Sequence, residues 1–343
     1  MTRCIRLVVA IALPLLLVAC SQKESEESAR KEIYLSQFIV ADYAAMQRSA
    51  VALNHTAERF CSSPVEENYL SLRQGWRQAM SAWQSVEAVS QLYLEENMEG
   101  WRFQFWPDKK NLTGRKIEAL LKKSVSSDLR EESVIVQGLS ALEYLLFDPT
   151  NGQRILLGEE NRCRLLKVVS NTLVLNAGDL KDRWQANGAF YNEYFSSEPE
   201  KQVTVPVLVL NSLDVLSSRL IREVGLPMGK QKVNHYLAES WRSKQSLENI
   251  QQSLTTGLKM TQFVLTGSLS GQERAIWQGL AEDIAQFNQD MEPLPASIPG
   301  LVEEQGRDRL VALHRDLSEL RGGVRKASVA LKIPLGFNTN DGD

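Results

Sequence analysis

The stretch Tyr69–Leu94, YLSLRQGWRQAMSAWQSVEAVSQLYL, decides the fold. Its apolar residues Leu72, Trp76, Ala79, Met80, Trp83, Val86 and Val89 recur every three or four positions, the spacing that lines one face of an α-helix. Upstream, Tyr34, Phe38, Tyr43, Met46, Ala50 and Leu53 keep the same rhythm. Downstream it predicts helices near Lys116–Leu121, Val134–Phe147, Arg162–Ala189, Val207–Val224, Lys230–Gly257, Glu273–Asn288 and Val302–Ala330. The one strand candidate is Val203–Leu210 (VTVPVLVL), and Pro206 weakens it as a central strand. The expectation is an all-α protein.

Two breaks organise the chain. Ser196–Lys201 (SSEPEK) separates 33–198 from 199–343, and each half holds enough helix for a bundle. Two helical-bundle domains packed together are therefore expected. The three prolines of Met291–Gly300 (MEPLPASIPG) predict a non-helical loop.

With 343 residues, 43% of them hydrophobic and 24% charged, the chain can bury a real core. A net charge of −3 gives no basic footprint, so no nucleic-acid partner is expected. Only His55, His235 and His314 are histidines, which disfavours a His-rich metal site.

Arg3 and Arg6 precede an apolar run, Leu7–Val18, that ends in Leu17-Val18-Ala19-Cys20. This is the layout of a secretory signal, and the run is short for a membrane-spanning helix. A cysteine directly after small residues resembles the lipobox of bacterial lipoproteins. The resemblance implies a signal peptide over 1–19, a lipidated Cys20, and a location on the periplasmic side of the outer membrane. The other reading is a plain signal peptide with an incidental cysteine. Residues 20–32 are polar and charge-rich, and are expected to form a flexible tether. In an oxidising compartment Cys61 and Cys163 suit a disulfide closing a loop of about a hundred residues, although two separate buried thiols fit the sequence as well.

Gly138-Leu-Ser-Ala-Leu-Glu-Tyr-Leu-Leu-Phe147 carries a single carboxylate in an apolar run. Ser140 and Glu143 are three apart, hence on one helix face, and a buried Glu143 needs a partner. His235 and Glu239 are four apart on an expected helix and would face one site, with Arg242 and Ser243 following as an anion-binding pair or as partners of Glu143. Trp106 and Asp108 lie in a polar turn that reads either as a cap for the helix near Arg115 or as part of a site.

GLSALEYLLF resembles the Gly-x-His-x-x-Glu motif of the imelysin family, also called the insulin-cleaving membrane peptidase family. WRQAMSAWQSVEA (76–88), FWPDKKN (105–111), HYLAESWRSKQS (235–246) and LGFNTNDGD (335–343) extend the resemblance over most of the mature chain. It implies two packed helical bundles, a site around Gly138, Ser140 and Glu143, and a role in bacterial iron uptake beside other iron-uptake proteins. Iron is suggested by the resemblance alone. Where the family motif has histidine this chain has Ser140, and a hydroxyl is a poor ligand for a transition metal. A zinc peptidase needs about three protein ligands and a base, and no His-Glu-x-x-His is present. Peptidase activity is therefore not carried over, and the expected function is non-catalytic binding. The alternatives are a metallopeptidase drawing ligands from Glu143, His235 and Glu239, and an interaction lipoprotein of the outer membrane.

Overall fold

The apolar stripe of Tyr69–Leu94 is the inner face of a long helical segment kinked at Ser90 (φ −140°), with Leu72, Trp76, Ala79, Trp83, Val86 and Val89 fully buried. The structure, a computed structural model, describes residues 26–96, 98–123, 127–149, 159–196 and 203–336. Among them every regular element is helical: α1 (Ala41–Ser62), α2 (Glu66–Glu96), α3 (Leu112–Leu120), α4 (Leu139–Phe147), α5 (Glu160–Asp182), α6 (Ala189–Tyr194), α7 (Val205–Met228), α8 (Ser246–Leu265), α9 (Gly271–Met291) and α10 (Ile298–Leu331). No helix among the described residues is long and apolar enough to cross a membrane.

Helices α1, α2 and α5 pack into a first bundle that carries α3 and α4, and α7–α10 pack into a second. The two are not cleanly separated, because α2 also packs against α7 and α8. One continuous apolar core results, from Tyr34 through Trp76 and Trp184 to Leu317 and Val324. A disulfide joins Cys61 at the end of α1 to Cys163 at the start of α5. In the second bundle Asp214 of α7, 2% exposed, receives Arg321 and Arg325 of α10, each Nε 3.1 Å from Oδ1.

Several boundaries differ from the sequence reading, each for a local reason. VTVPVLVL is the start of α7, with Pro206 in the first turn, where a missing N–H costs no helical hydrogen bond. The loop at Met291–Gly300 is shorter than its prolines suggest. Ser297 caps the Gly300 N–H at 3.2 Å, and Pro299 already lies in the first turn of α10. The helix expected over Lys230–Gly257 begins only at Ser246, because Ser240 and Lys244 adopt positive φ (47° and 58°). The tether is also shorter than expected. Residues 26–32 are helical and docked: Lys31 Nζ donates to the Tyr194 carbonyl at 2.6 Å, and Glu27 accepts from the Val205 N–H at 2.9 Å. The signal segment, Cys20, most of the SSEPEK break and most of LGFNTNDGD lie outside the described residues.

Candidate functional site

Three segments that are distant in sequence meet where the bundles join: 102–111, α4, and the turn 237–245. Gly138 makes the first contact between them. A Cβ there would sit 2.3 Å from the Arg102 carbonyl oxygen, so only glycine lets Leu139 N–H reach the Phe103 carbonyl at 2.6 Å. Ser140 continues the contact, its Oγ accepting from Phe105 N–H at 3.0 Å and lying 3.4 Å from the Phe105 carbonyl, to which it donates. The head of the motif is thus spent on fixing the 102–105 backbone against α4.

Glu143, one turn on and 6% exposed, crosses to the other bundle. Its Oε1 accepts from both the backbone N–H and the Oγ of Ser243, each at 2.8 Å. Burial pushes its carboxyl up, while the Ser243 N–H, the Arg242 guanidinium and the Ser243 hydroxyl pull it back. Arg242 extends the clasp, with Nη2 2.9 Å from Asn111 Oδ1, Nε 3.4 Å from Asp148 Oδ2, and its guanidinium over Tyr144 and Trp241. Trp106 Nε1 donates to the Leu237 carbonyl at 3.1 Å. The first bundle therefore grips the turn 237–245 at Ser243, Arg242 and Leu237.

A second buried polar station lies behind that turn. Glu239, 1% exposed, accepts from Gln104 Nε2, from Ser240 Oγ at 2.6 Å and from Asn249 Nδ2 at 2.7 Å. Gln104 Oε1 in turn accepts from Trp83 Nε1 at 3.0 Å. Deeper, Arg219 of α7 pairs with Glu87 of α2, with Glu223 at 2.7 Å, and donates to Gln84 at 3.2 Å. Burial, reinforced by the charge of Glu223, lifts the Glu239 carboxyl to about 8, so it holds its proton at neutral pH. Burial also raises Glu223, against the pull of Arg219.

The residues singled out from sequence fall into three groups. Gly138, Ser140, Glu143, Trp106, Arg242 and Ser243 come together. Asp108 adjoins them as a helix cap, its carboxylate accepting from the N–H groups of Leu112 (2.6 Å) and Thr113 (3.0 Å). The expected His235/Glu239 pair does not form. His235 is exposed in a short 3₁₀ turn, Glu239 is buried, and the helix meant to align them is absent. Sequence reading missed Gln84, Gln104, Arg219, Glu223 and Asn249. The signal available was Arg219 and Glu223 four apart in the otherwise apolar run of α7.

Ser140 and Glu143 are engaged by protein donors and acceptors, and no group of three or more His, Cys, Asp or Glu residues able to hold a metal occurs among the described residues. The family model for imelysin, peptidase family M75, matches residues 39–323. The chain belongs to the imelysin family. Its fold is that of solved imelysin-like structures. An imelysin-like protein from Psychrobacter arcticum 273-4 matches with a TM-score of 0.76 at 20% identity, over 92% of this chain and 98% of that one. A structure named iron-regulated protein A precursor, from Parabacteroides distasonis ATCC 8503, matches with a TM-score of 0.67 at 15% identity, over 89% and 95%. No curated protein matches the sequence. Within the matched span, the Ser140 hydroxyl serves the backbone of Phe105.

Proposed function

We propose that this chain is a non-catalytic binding component of bacterial iron handling, held at the periplasmic face of the outer membrane through a lipid on Cys20 and working beside iron-uptake proteins. The bound species is taken at the junction of the bundles. The observation that supports the non-catalytic part is the engagement of the motif: the Ser140 hydroxyl serves the Phe105 backbone and Glu143 Oε1 serves Ser243. Iron as cargo is supported by family membership and by the name of one structural neighbour. The lipid anchor rests on the sequence around Cys20.

The test is direct. The purified protein is expected to retain iron or haem after desalting, its production is expected to rise under iron limitation, and it is expected to cleave no peptide with or without added zinc. Absence of iron and haem binding together with iron-independent production rejects the role. Chelator-sensitive peptide cleavage rejects its non-catalytic character.

A further inference from the structure

Between α2 and α8, beside the gripped turn, runs an open cleft of about 790 Å³. One wall is a stripe on α2 (Gln74, Arg77, Gln78, Ser81, Ser85), and the other comes from Gln245, Glu248, Asn249 and Gln252. Facing helices normally meet through apolar residues. Here, Ala82 apart, the lining is polar: carboxamides on both walls, the Ser81 and Ser85 hydroxyls on one, and the charged Arg77 and Glu248. The cleft closes at one end, where Gln252 Nε2 donates to Ser85 Oγ at 2.9 Å and Thr256 Oγ1 lies 3.2 Å from the same atom. Its floor is tied to the buried station, since Asn249 donates to Glu239.

The open end carries two arginines that stack on rings and form no ion pair among the described residues. Arg73 and Arg77 are one turn apart on α2, a like-charge spacing that destabilises an isolated helix. Both guanidiniums lie over Phe147, at 4.4 and 5.4 Å, and Arg73 also over Tyr69 at 5.5 Å. Among the described residues neither makes a hydrogen bond or an ion pair, and Arg73 Nε is buried unpaired. Glu248 faces Arg77 from α8 and acts on it through space without pairing. An arginine on one wall and a carboxylate on the other thus look into a cavity lined by amides.

We propose that this cleft binds a small organic hydroxycarboxylate, its carboxylate received by Arg77 beside Arg73, and its hydroxyls donated to Glu248 and shared with Gln74, Gln78 and Gln245. A guanidinium matches a carboxylate in a fork-to-fork geometry, and ring stacking orients that fork in advance. Hydroxyls suit the opposite wall because they donate to a carboxylate and also accept from amide N–H groups. The inference rests on the binding reading above, but not on iron.

Titration calorimetry with iron-free citrate and with gluconate tests it on the purified protein at low ionic strength. Binding is expected, weakened at least tenfold by Arg77→Gln and several-fold by Gln78→Ala. Arg115→Gln, in a separate surface groove beside α3, is expected to leave it unchanged. Far-UV circular dichroism verifies folding, and if Arg77→Gln does not fold, Gln78→Ala decides alone. The proposal is overturned if neither compound binds, if affinity survives Arg77→Gln, or if free glutamine binds better than both. Failure here leaves the iron measurements untouched, and failure there leaves this titration standing.

Discussion

Two buried carboxylates meet at the turn 237–245; burial raises both, and they differ in what else surrounds them. Glu143 enters from α4 of the first bundle and is met by donors that favour its charged form: a backbone N–H, a hydroxyl, and the Arg242 guanidinium nearby. Glu239 belongs to the turn itself. Gln104, Ser240 and Asn249 donate to it, and the last two favour its charged form as well, but the negative charge of Glu223 adds to burial in raising it. One carboxylate staples two bundles together, and the other is a protonated hydrogen-bonding hub. A glutamate is thus given its role by what surrounds it, and the family motif marks the staple.

The comparison breaks most visibly at the cation behind the hub. Arg219→Leu removes the charge that compensates Glu87 and Glu223, and a loss of about 3–5 kcal/mol is expected, read as a fall in the denaturation midpoint. A midpoint close to that of the parent would show that the hub does not depend on this pair.

Removing the staple comes next. Glu143→Ala leaves the Ser243 N–H buried without its acceptor while the hydroxyl keeps the Ser240 carbonyl at 3.0 Å, and is expected to cost about 2–3 kcal/mol. Hydrogen exchange should show the turn 237–245 opening before the bundles do. Equal protection in variant and parent would contradict the staple.

Glu239→Gln should be the mildest at neutral pH, about 1 kcal/mol, because the amide oxygen keeps an acceptor for Gln104 and Ser240 and the Asn249 carboxamide can turn its oxygen toward the new NH2 group. Its mark is on pH dependence. Folded Glu239 holds its proton to about 8, against an ordinary value of 4.5. The contribution is therefore fully favourable below the ordinary value and is lost as pH climbs from 4.5 through 8. Thermal denaturation between pH 5 and 9 should show the parent losing stability with rising pH and Glu239→Gln losing less. Parallel curves would place the titration elsewhere.

Much of the fold was legible because helical spacing is a local property. Trp76 and Trp83 announced the buried face of α2, and Ser140 with Glu143 one face of α4. What escaped was set by backbone geometry or by long-range pairing. The positive φ of Ser240 and Lys244, neither of them glycine, ended a helix that periodicity continued, and with it the expected pairing of His235 and Glu239. Gln104 and Asn249 look like surface residues in sequence and become buried only when the bundles meet. The link between Glu143 and Ser243, 100 residues apart, was legible only as an option.

The most direct test of the staple is a double-mutant cycle on that link: Glu143→Ala, Ser243→Ala and both together, by chemical denaturation. The side-chain bond crossing the bundle junction predicts a coupling of about 1–2 kcal/mol, with the double variant no less stable than Glu143→Ala by more than about 0.5 kcal/mol. Additive losses, with coupling under about 0.3 kcal/mol, would contradict it and return Glu143 to the role of an open ligand-binding carboxylate.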